Sequence, residues 1–276
     1  MIRAAVLGAD VSKSRSPAIH NAAFEALGVD GLYEAISVDE GTFHARAKQL
    51  CSNGYLYLNV TIPHKQAAVK LANAQGPEVR ASGAANTLLF SSPVGPVRAE
   101  NTDGAGLIAA LRDLGVSVAG KTIVMVGAGG AAAGATEALT RAGATIRIIA
   151  RRAEIARTMR RRLPVEQRRC VQVDLWTPSI LAKALAEADV LVSAVPALAW
   201  TETEAREGLS ALTPDTAVLE MAYGSPTPLA HEVKSFTDRY SDGLRMLVHQ
   251  AARTVELALK EAPPFEPLLR AAVAAF

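Results

Sequence analysis

Apolar residues along the chain follow two rhythms, and their alternation predicts the fold. Short runs with strand character, AAVLG at 4–8, YEAISV at 33–38 and YLYLNVT at 55–61, are separated by stretches with helical spacing. Such alternation builds an α/β layer whose strands are mostly parallel. Ser16 before Pro17 predicts a helix start, with the serine as N-cap and the proline at the first helical position, where its missing N–H costs nothing. That helix should run to about Leu27 and stop at Gly28. After TLLF at 87–90 the turn-forming SSPVGP interrupts, and AENTDGAGLIAALRDLG then brings helical spacing from Leu107 to Leu114. A crossing into a second domain is expected near residues 100–105.

The clearest pattern follows. KTIVMV, an apolar strand, runs directly into GAGGAAAGATEALTRAG, a glycine turn opening a small-residue helix, and TIRII at 145–149 supplies the next strand. Strand, G-x-G-x-x-A, helix, strand is the arrangement that binds a dinucleotide. Gly127 supplies the tight turn, Gly129 lets the backbone approach a pyrophosphate, and Ala132 lets the helix pack closely. Ala128, Gly130 and Ala131 complete the turn, and the helix N-terminus turns free N–H groups toward the phosphates. A carboxylate usually follows the second strand to bind the ribose 2′-hydroxyl of NAD, but here the chain reads Ala150-Arg151-Arg152. A guanidinium is a bidentate partner for a 2′-phosphate, so Arg151 and Arg152 favour NADP, with NAD left open. The alternative is that both belong to a solvated basic face continuing through Arg157, Arg160, Arg161 and Arg162. VQV at 171–173, ADVLVSAV at 188–195 and TAVLEM at 216–221 extend one parallel sheet, and MLVHQAARTVELALK at 246–260 is the last strong helix.

Composition narrows the function classes. Half of the 276 residues are hydrophobic and a fifth are charged, which excludes disorder as the main description. Lengths near ~250–300 residues tend to split into two domains. We expect a substrate domain over 1–102, completed by the C-terminal helix at about 246–276, and a dinucleotide-binding domain over 103–245. A formal net charge of +2 gives no general case for nucleic acid or membrane binding. Two separated cysteines, Cys51 and Cys170, suggest neither a disulfide framework nor a thiolate metal site. No histidine pair has metal-ligand spacing, so no metal is expected. With no signal-peptide core and no long apolar run, the expectation is a soluble, cytoplasmic protein, as a monomer or homodimer.

Hydride transfer at an alcohol carbon needs a group that exchanges the hydroxyl proton. Three polar clusters at strand ends offer one: Ser12-Lys13-Ser14-Arg15-Ser16-Pro17, Asn59-Val60-Thr61-Ile62-Pro63-His64-Lys65, and Asn86-Thr87 with Asn101-Thr102-Asp103-Gly104. Hydroxyls, amides and one cation suit a small polyhydroxylated ligand. His20 and His64 read as structural or solvated.

These segments, in this order and over nearly the whole chain, resemble the shikimate dehydrogenase family, in which a substrate domain precedes an NADP-binding Rossmann domain. Ser14 and Ser16 match its S-x-S-P segment, Asn59, Thr61, Pro63 and Lys65 its N-V-T-x-P-x-K segment, Asn86 its G-A-x-N-T segment, and Asp103 its N-T-D-G segment. The resemblance implies Lys65 and Asp103 as the catalytic pair. It also implies Ser14, Ser16, Thr61, Asn86, Tyr223 and Gln250 as contacts of a small hydroxy acid, and Gly243 on the cofactor side. The implied reaction is the reversible reduction of 3-dehydroshikimate to shikimate, a step toward the aromatic amino acids. Departures lie on the cofactor side: Ala150-Arg151-Arg152 replaces N-R-T, Ile155 stands where many members are basic, and Ser193 to Ala199 replaces N-A-T-P-x-G-M. A paralogue acting on quinate or aminoshikimate, with NAD if so, and a non-catalytic nucleotide sensor are the alternatives.

Overall fold

A computed structural model describes residues 1–275; Phe276, part of the expected C-terminal completion, lies outside the described residues. The chain divides into two compact units, one of residues 1–106 with 247 onward and one of residues 107–246. Both divisions fall inside helices, so the first lies four residues beyond the expected 102/103 boundary and keeps Asp103 in the first unit.

The first unit holds β1 (Ile2–Gly8), α1 (Ser16–Ala26), β2 (Gly31–Ser37), α2 (Phe43–Ser52), β3 (Tyr57–Val60), α3 (Lys65–Val69), β4 (Ala74–Gln75), α4 (Pro77–Ser82), β5 (Thr87–Phe90) and β6 (Val97–Glu100). Its sheet has the order β2-β1-β3-β5-β6-β4. Its strands are mostly parallel, as expected, with one exception: β2, β1, β3, β6 and β4 run the same way, and β5 runs antiparallel to both β3 and β6. SSPVGP is the reason, because its turn returns the chain directly as a β5–β6 hairpin, a connection open only to antiparallel strands.

Strand alternation buries both faces of this sheet. Ala5, Leu7, Leu58 and Val60 join one core with Phe43 and Leu50, while Ala4, Val6 and Tyr57 join another with Phe24 and Tyr33. The first helix starts one residue earlier than the pattern suggests: Arg15 flanks it, Ser16 is its first residue, and no side chain caps it. Pro17 sits where its missing N–H is harmless, and Gly28, at φ 64°, follows the helix as expected.

Residues 103–113 form α5 (Asp103–Asp113), which carries the chain into the second unit. That unit contains β7 (Thr122–Val126), α6 (Gly130–Arg141), β8 (Thr145–Ala150), α7 (Ala153–Arg162), α8 (Val165–Arg168), β9 (Val171–Leu175), α9 (Pro178–Leu185), β10 (Val190–Ser193), α10 (Glu202–Gly208), β11 (Ala217–Glu220), α11 (Pro228–Val233) and β12 (Tyr240–Ser241). All its strands are parallel, in the order β12-β11-β10-β7-β8-β9. This is a doubly wound sheet, with the crevice for ligands where the order reverses, beyond the carboxyl ends of β7 and β10. Val124, Val126, Leu191 and Val218 are buried, as strands covered on both faces require. The return helix α12 (Leu244–Leu259) leads to α13 (Phe265–Ala274), which the sequence pattern does not single out and which packs on α1 in the first unit.

One buried charge stands out in the second sheet. Glu220 ends β11 at 1% exposure; its Oε2 accepts from Thr227 Oγ1 at 2.7 Å and Tyr240 OH at 3.1 Å, while Oε1 has no hydrogen-bond partner among the described residues. Burial raises its pKa above the ordinary carboxyl value. A raised folded-state pKa means the stabilising form is the protonated one, so the contribution is complete below the unfolded pKa and is lost as pH rises through the folded one. Glu220→Gln keeps an acceptor for Thr227 and cannot ionise. Its melting temperature relative to the parent protein should therefore rise as the pH climbs above the ordinary carboxyl range; a pH-independent difference would show that burial does not shift Glu220.

Candidate active site

At the carboxyl edge of the first sheet, the β1 and β3 strands run in register, with Leu7 opposite Val60. Two loops therefore leave the sheet side by side. Thr61 N–H donates to Leu7 O at 2.8 Å and His64 N–H to Thr61 O at 2.9 Å, which closes a tight turn ahead of Lys65. His64 anchors that turn: it is 1% exposed, its Nε2 lies 2.7 Å from Val38 O, and its ring stacks on Phe43 at 4.6 Å. A carbonyl can only accept, so the hydrogen is on Nε2, and the imidazole is committed to structure. His20 is likewise buried, 2.7 Å from Tyr57 OH and stacked on Tyr33. Burial lowers its pKa to about 3, which leaves it neutral near pH 7 and unsuited as a proton donor there.

Lys65 opens α3, and its carbonyl accepts from Ala85 N–H at 2.9 Å, which ties it to the segment before β5. Its Nζ lies 2.5 Å from Asp103 Oδ2, with the two side chains 14% and 5% exposed. Asp103 is the first residue of α5, where the positive end of the helix dipole favours a carboxylate. Asn101 sets this start, its Oδ1 accepting the Asp103 N–H at 3.0 Å.

Asn86 organises the rest. Its Nδ2 is 2.9 Å from Asp103 Oδ1, 2.9 Å from Thr102 Oγ1 and 2.8 Å from Gln250 Oε1, while its Oδ1 accepts from Thr102 N–H and Thr87 Oγ1. Lys65, Asp103, Asn86 and Gln250, drawn from four separate segments, are thus joined by direct hydrogen bonds. Ser14 and Ser16 lie on the neighbouring loop after β1; Ser14 Oγ accepts the Ser16 N–H at 3.3 Å. Ser16 is buried, whereas Ser14 and Thr61 remain partly exposed.

In the second unit, β7 leads into Gly127, whose φ of 108° and approach to Ala194 O leave no room for a Cβ. A Cβ on Gly129 would meet nothing within 4 Å, and no side chain caps α6, so the backbone N–H groups at Gly130 and Ala131 face open space beside Ala128. Gly127 and Ala132 are buried under this turn. An open, uncapped helix N-terminus above a glycine turn fits a pyrophosphate. Arg151 and Arg152, after β8, are exposed, but Arg151 already has a partner: Nη2 lies 2.8 and 3.1 Å from the two Glu204 carboxylate oxygens and 2.8 Å from Ala199 O. Tyr223 stands in the loop after β11, at the carboxyl edge of the second sheet. Gly243 is buried against that loop: its N–H donates to Ala222 O at 2.9 Å, and a Cβ would meet Met221 O at 2.1 Å. Among the described residues no group of three metal-ligating side chains occurs, and no helix is long and apolar enough to cross a membrane.

Residues 6–88 match the family described as the shikimate dehydrogenase substrate binding domain, and residues 109–237 match shikimate / quinate 5-dehydrogenase. The chain belongs to the shikimate dehydrogenase family. It is 35% identical to the shikimate dehydrogenase (NADP(+)) of Geobacter sulfurreducens, covering 98% of this chain and 95% of that one. Among solved structures it is similar to Mycobacterium tuberculosis shikimate dehydrogenase (TM-score 0.85, 32% identity, 99% of this chain and 100% of that one). It is also similar to the Thermus thermophilus shikimate 5-dehydrogenase in complex with NADP(H) and shikimate (TM-score 0.84, 28% identity, 100% of both chains).

Within this family framework, two residues of the site escape sequence reasoning. Thr254, one turn beyond Gln250 on α12, is fully buried, and its Oγ1 lies 3.2–3.4 Å from Asn59 Nδ2, Thr87 Oγ1 and Thr102 Oγ1. A hydroxyl three to four residues after a polar residue on an amphipathic helix is the available signal. Glu204 gives none, because it reaches Arg151 from a helix far along the chain. Thr254→Val preserves shape and removes the hydroxyl, leaving buried donors short of an acceptor. Chemical denaturation should show a loss of ~1–3 kcal/mol; an unchanged midpoint would mean the threonine only fills space.

Proposed function

We propose that the protein interconverts 3-dehydroshikimate and shikimate with NADP, the proton moving through Lys65 and Asp103. The observation that carries this reading is the largely buried Lys65–Asp103 pair, with its carboxylate buried, beside the amides of Asn86 and Gln250. When bound, the cofactor supplies the hydride for carbonyl reduction or accepts it in the reverse direction. Lys65 Nζ donates a proton to the carbonyl oxygen as it becomes a hydroxyl, and takes the proton back on oxidation. Asp103 stays acceptor-only throughout: Oδ2 holds the ammonium in place and Oδ1 is fixed by Asn86. With Asn86 already bonded to Gln250 Oε1, the Gln250 Nε2 group is left to donate to a second hydroxyl of the ring.

Ser14, Ser16 and Thr61 supply hydroxyl donors for the substrate carboxylate from the two loops that leave β1 and β3 together. On the cofactor side, Ala128 to Ala131 donate N–H groups to the pyrophosphate, Gly243 fixes the loop before Tyr223, and Arg151 with Arg152 meets the 2′-phosphate. Free Cys51 and Cys170 support a reducing, cytoplasmic setting.

Turnover of shikimate, quinate and aminoshikimate with each nicotinamide cofactor, followed by nicotinamide absorbance, tests the reading. Shikimate with NADP should give the highest kcat/KM; cofactor binding without turnover of any of the three would instead mark a sensor. Lys65→Ala should lower kcat by ~10²–10⁴-fold with substrate Kd within about tenfold, since the hydroxyls and amides still hold the ligand. Asp103→Asn should behave similarly, and the double variant should lose much less than the sum of the single losses. Additive losses would assign the two residues independent roles. Arg151→Ala should weaken NADP by ~1–3 kcal/mol and leave NAD nearly unchanged; equal weakening of both would remove Arg151 from the 2′-phosphate.

A further inference from the structure

The guanidinium assigned to the 2′-phosphate carries a carboxylate with it. Glu204 contacts Arg151 Nη2 through both oxygens, and this arrangement is not a loose surface pair. Glu204 occupies the third position of α10 in a capping box: its own N–H donates to Thr201 Oγ1, and its Oε2 accepts from Thr201 N–H at 3.0 Å and Thr201 Oγ1 at 2.9 Å. On the other oxygen, Trp176 Nε1 donates at 3.2 Å, and the Trp176 ring is steadied edge-on against buried Trp200 at 4.8 Å. Bonds from the Thr201 backbone, with those from the Thr201 hydroxyl, Arg151 and Trp176, hold the Glu204 pKa down to about 2 against the cost of burial. The carboxylate is therefore a fixed negative charge, about a fifth exposed, whereas Arg151 is 58% exposed and is the partner that can move.

A fixed anion at this position changes what the nucleotide meets. A lone arginine after the second strand offers net positive charge to a phosphate, but the Arg151–Glu204 pair is neutral overall and presents donors and acceptors together. A 2′-phosphate dianion gains the guanidinium and is repelled by the carboxylate within a few ångströms of it; a 2′-hydroxyl meets no repulsion and finds the acceptor that an NAD site normally places at the end of the second strand. We infer that Glu204 is a specificity-determining residue of the cofactor site, one that lowers the preference for the 2′-phosphate and lets NAD bind in competition with NADP. This rests on the proposed placement of the 2′-phosphate at Arg151.

Isothermal titration of the unliganded protein with NADP⁺ and with NAD⁺ tests it without turnover. Glu204→Gln keeps one acceptor oxygen for the Thr201 cap, at the cost of the Trp176 bond, while removing the charge, and should tighten NADP⁺ by about 5–20-fold with NAD⁺ unchanged or weaker. Glu204→Asp preserves a charged cap on α10 but withdraws the carboxylate from Arg151, and should shift the ratio in the same direction by less; it serves where the glutamine variant fails to fold. Glu202→Gln, an exposed carboxylate in the same first turn, controls for general charge and should leave the ratio alone. If neither Glu204 variant alters the ratio while Arg151→Ala still weakens NADP⁺ selectively, the inference fails and the 2′-phosphate assignment stands. If Arg151→Ala weakens neither cofactor selectively, that assignment fails and takes the inference with it.

Discussion

A buried primary amide has two N–H groups and one carbonyl to satisfy, and leaving any of them without a partner costs ~1–3 kcal/mol. Asn86, at 3% exposure, meets that demand through its neighbour Thr87 and two distant parts of the chain that come to it: Thr102 and Asp103 at the start of α5, and Gln250 on α12. The constraint acts in both directions. Asp103 is aimed because Asn86 holds one of its oxygens, and α12 is placed against the sheet of the first unit because its Gln250 belongs to the same network. Lys65 joins through the backbone as well as the side chain, with Ala85 N–H on its carbonyl one residue before the hub. The Lys65–Asp103 pair is thus a consequence of the way the first unit satisfies its interior polar groups, with Thr254, Asn59 and Tyr33 continuing the network.

Much of this is legible in the sequence because it is written in local patterns. Strand positions follow from period-two apolar runs, and the dinucleotide turn follows from the spacing of Gly127, Gly129 and Ala132 between a strand and a helix. Lys65, Asp103, Asn86 and Gln250 are accessible through motif segments whose order along the chain carries the information. What is not legible depends on three-dimensional return. The antiparallel β5–β6 hairpin is hidden because β6 is only four residues, Val97–Glu100, and reads as polar, with Arg98 and Glu100 inside it. Composition marks Ser16 as a cap, yet a helix start fixed by tertiary packing on α13 needs no side-chain cap. Glu204 is invisible for a different reason: its partner lies 53 residues away, and a capping box gives a complete local explanation for a glutamate at that position.

The two ion pairs to which function is assigned in the proposed reading share a construction. Asp103 begins α5 and Glu204 sits in the first turn of α10, so both anions stand at the positive end of a helix and are gripped by donors other than their cation. In each case the cation is the more exposed member: Lys65 at 14% against Asp103 at 5%, and Arg151 at 58% against Glu204 at 22%. The protein fixes the acceptor and leaves the donor with freedom to respond to a ligand. For Lys65 that freedom is what the proposed proton exchange requires, since the ammonium would have to reach the substrate oxygen without losing its place. For Arg151 the same freedom means that the guanidinium can turn toward a phosphate, but always at the expense of contacts to a carboxylate that cannot follow it. A site built from a fixed anion and a mobile cation positions chemistry well when the ligand atom is neutral, as a carbonyl oxygen is, and discriminates weakly when the ligand is itself an anion. The difference between the two ends of the reaction therefore comes from the charge of the group presented to each pair, while the pairs themselves follow one design.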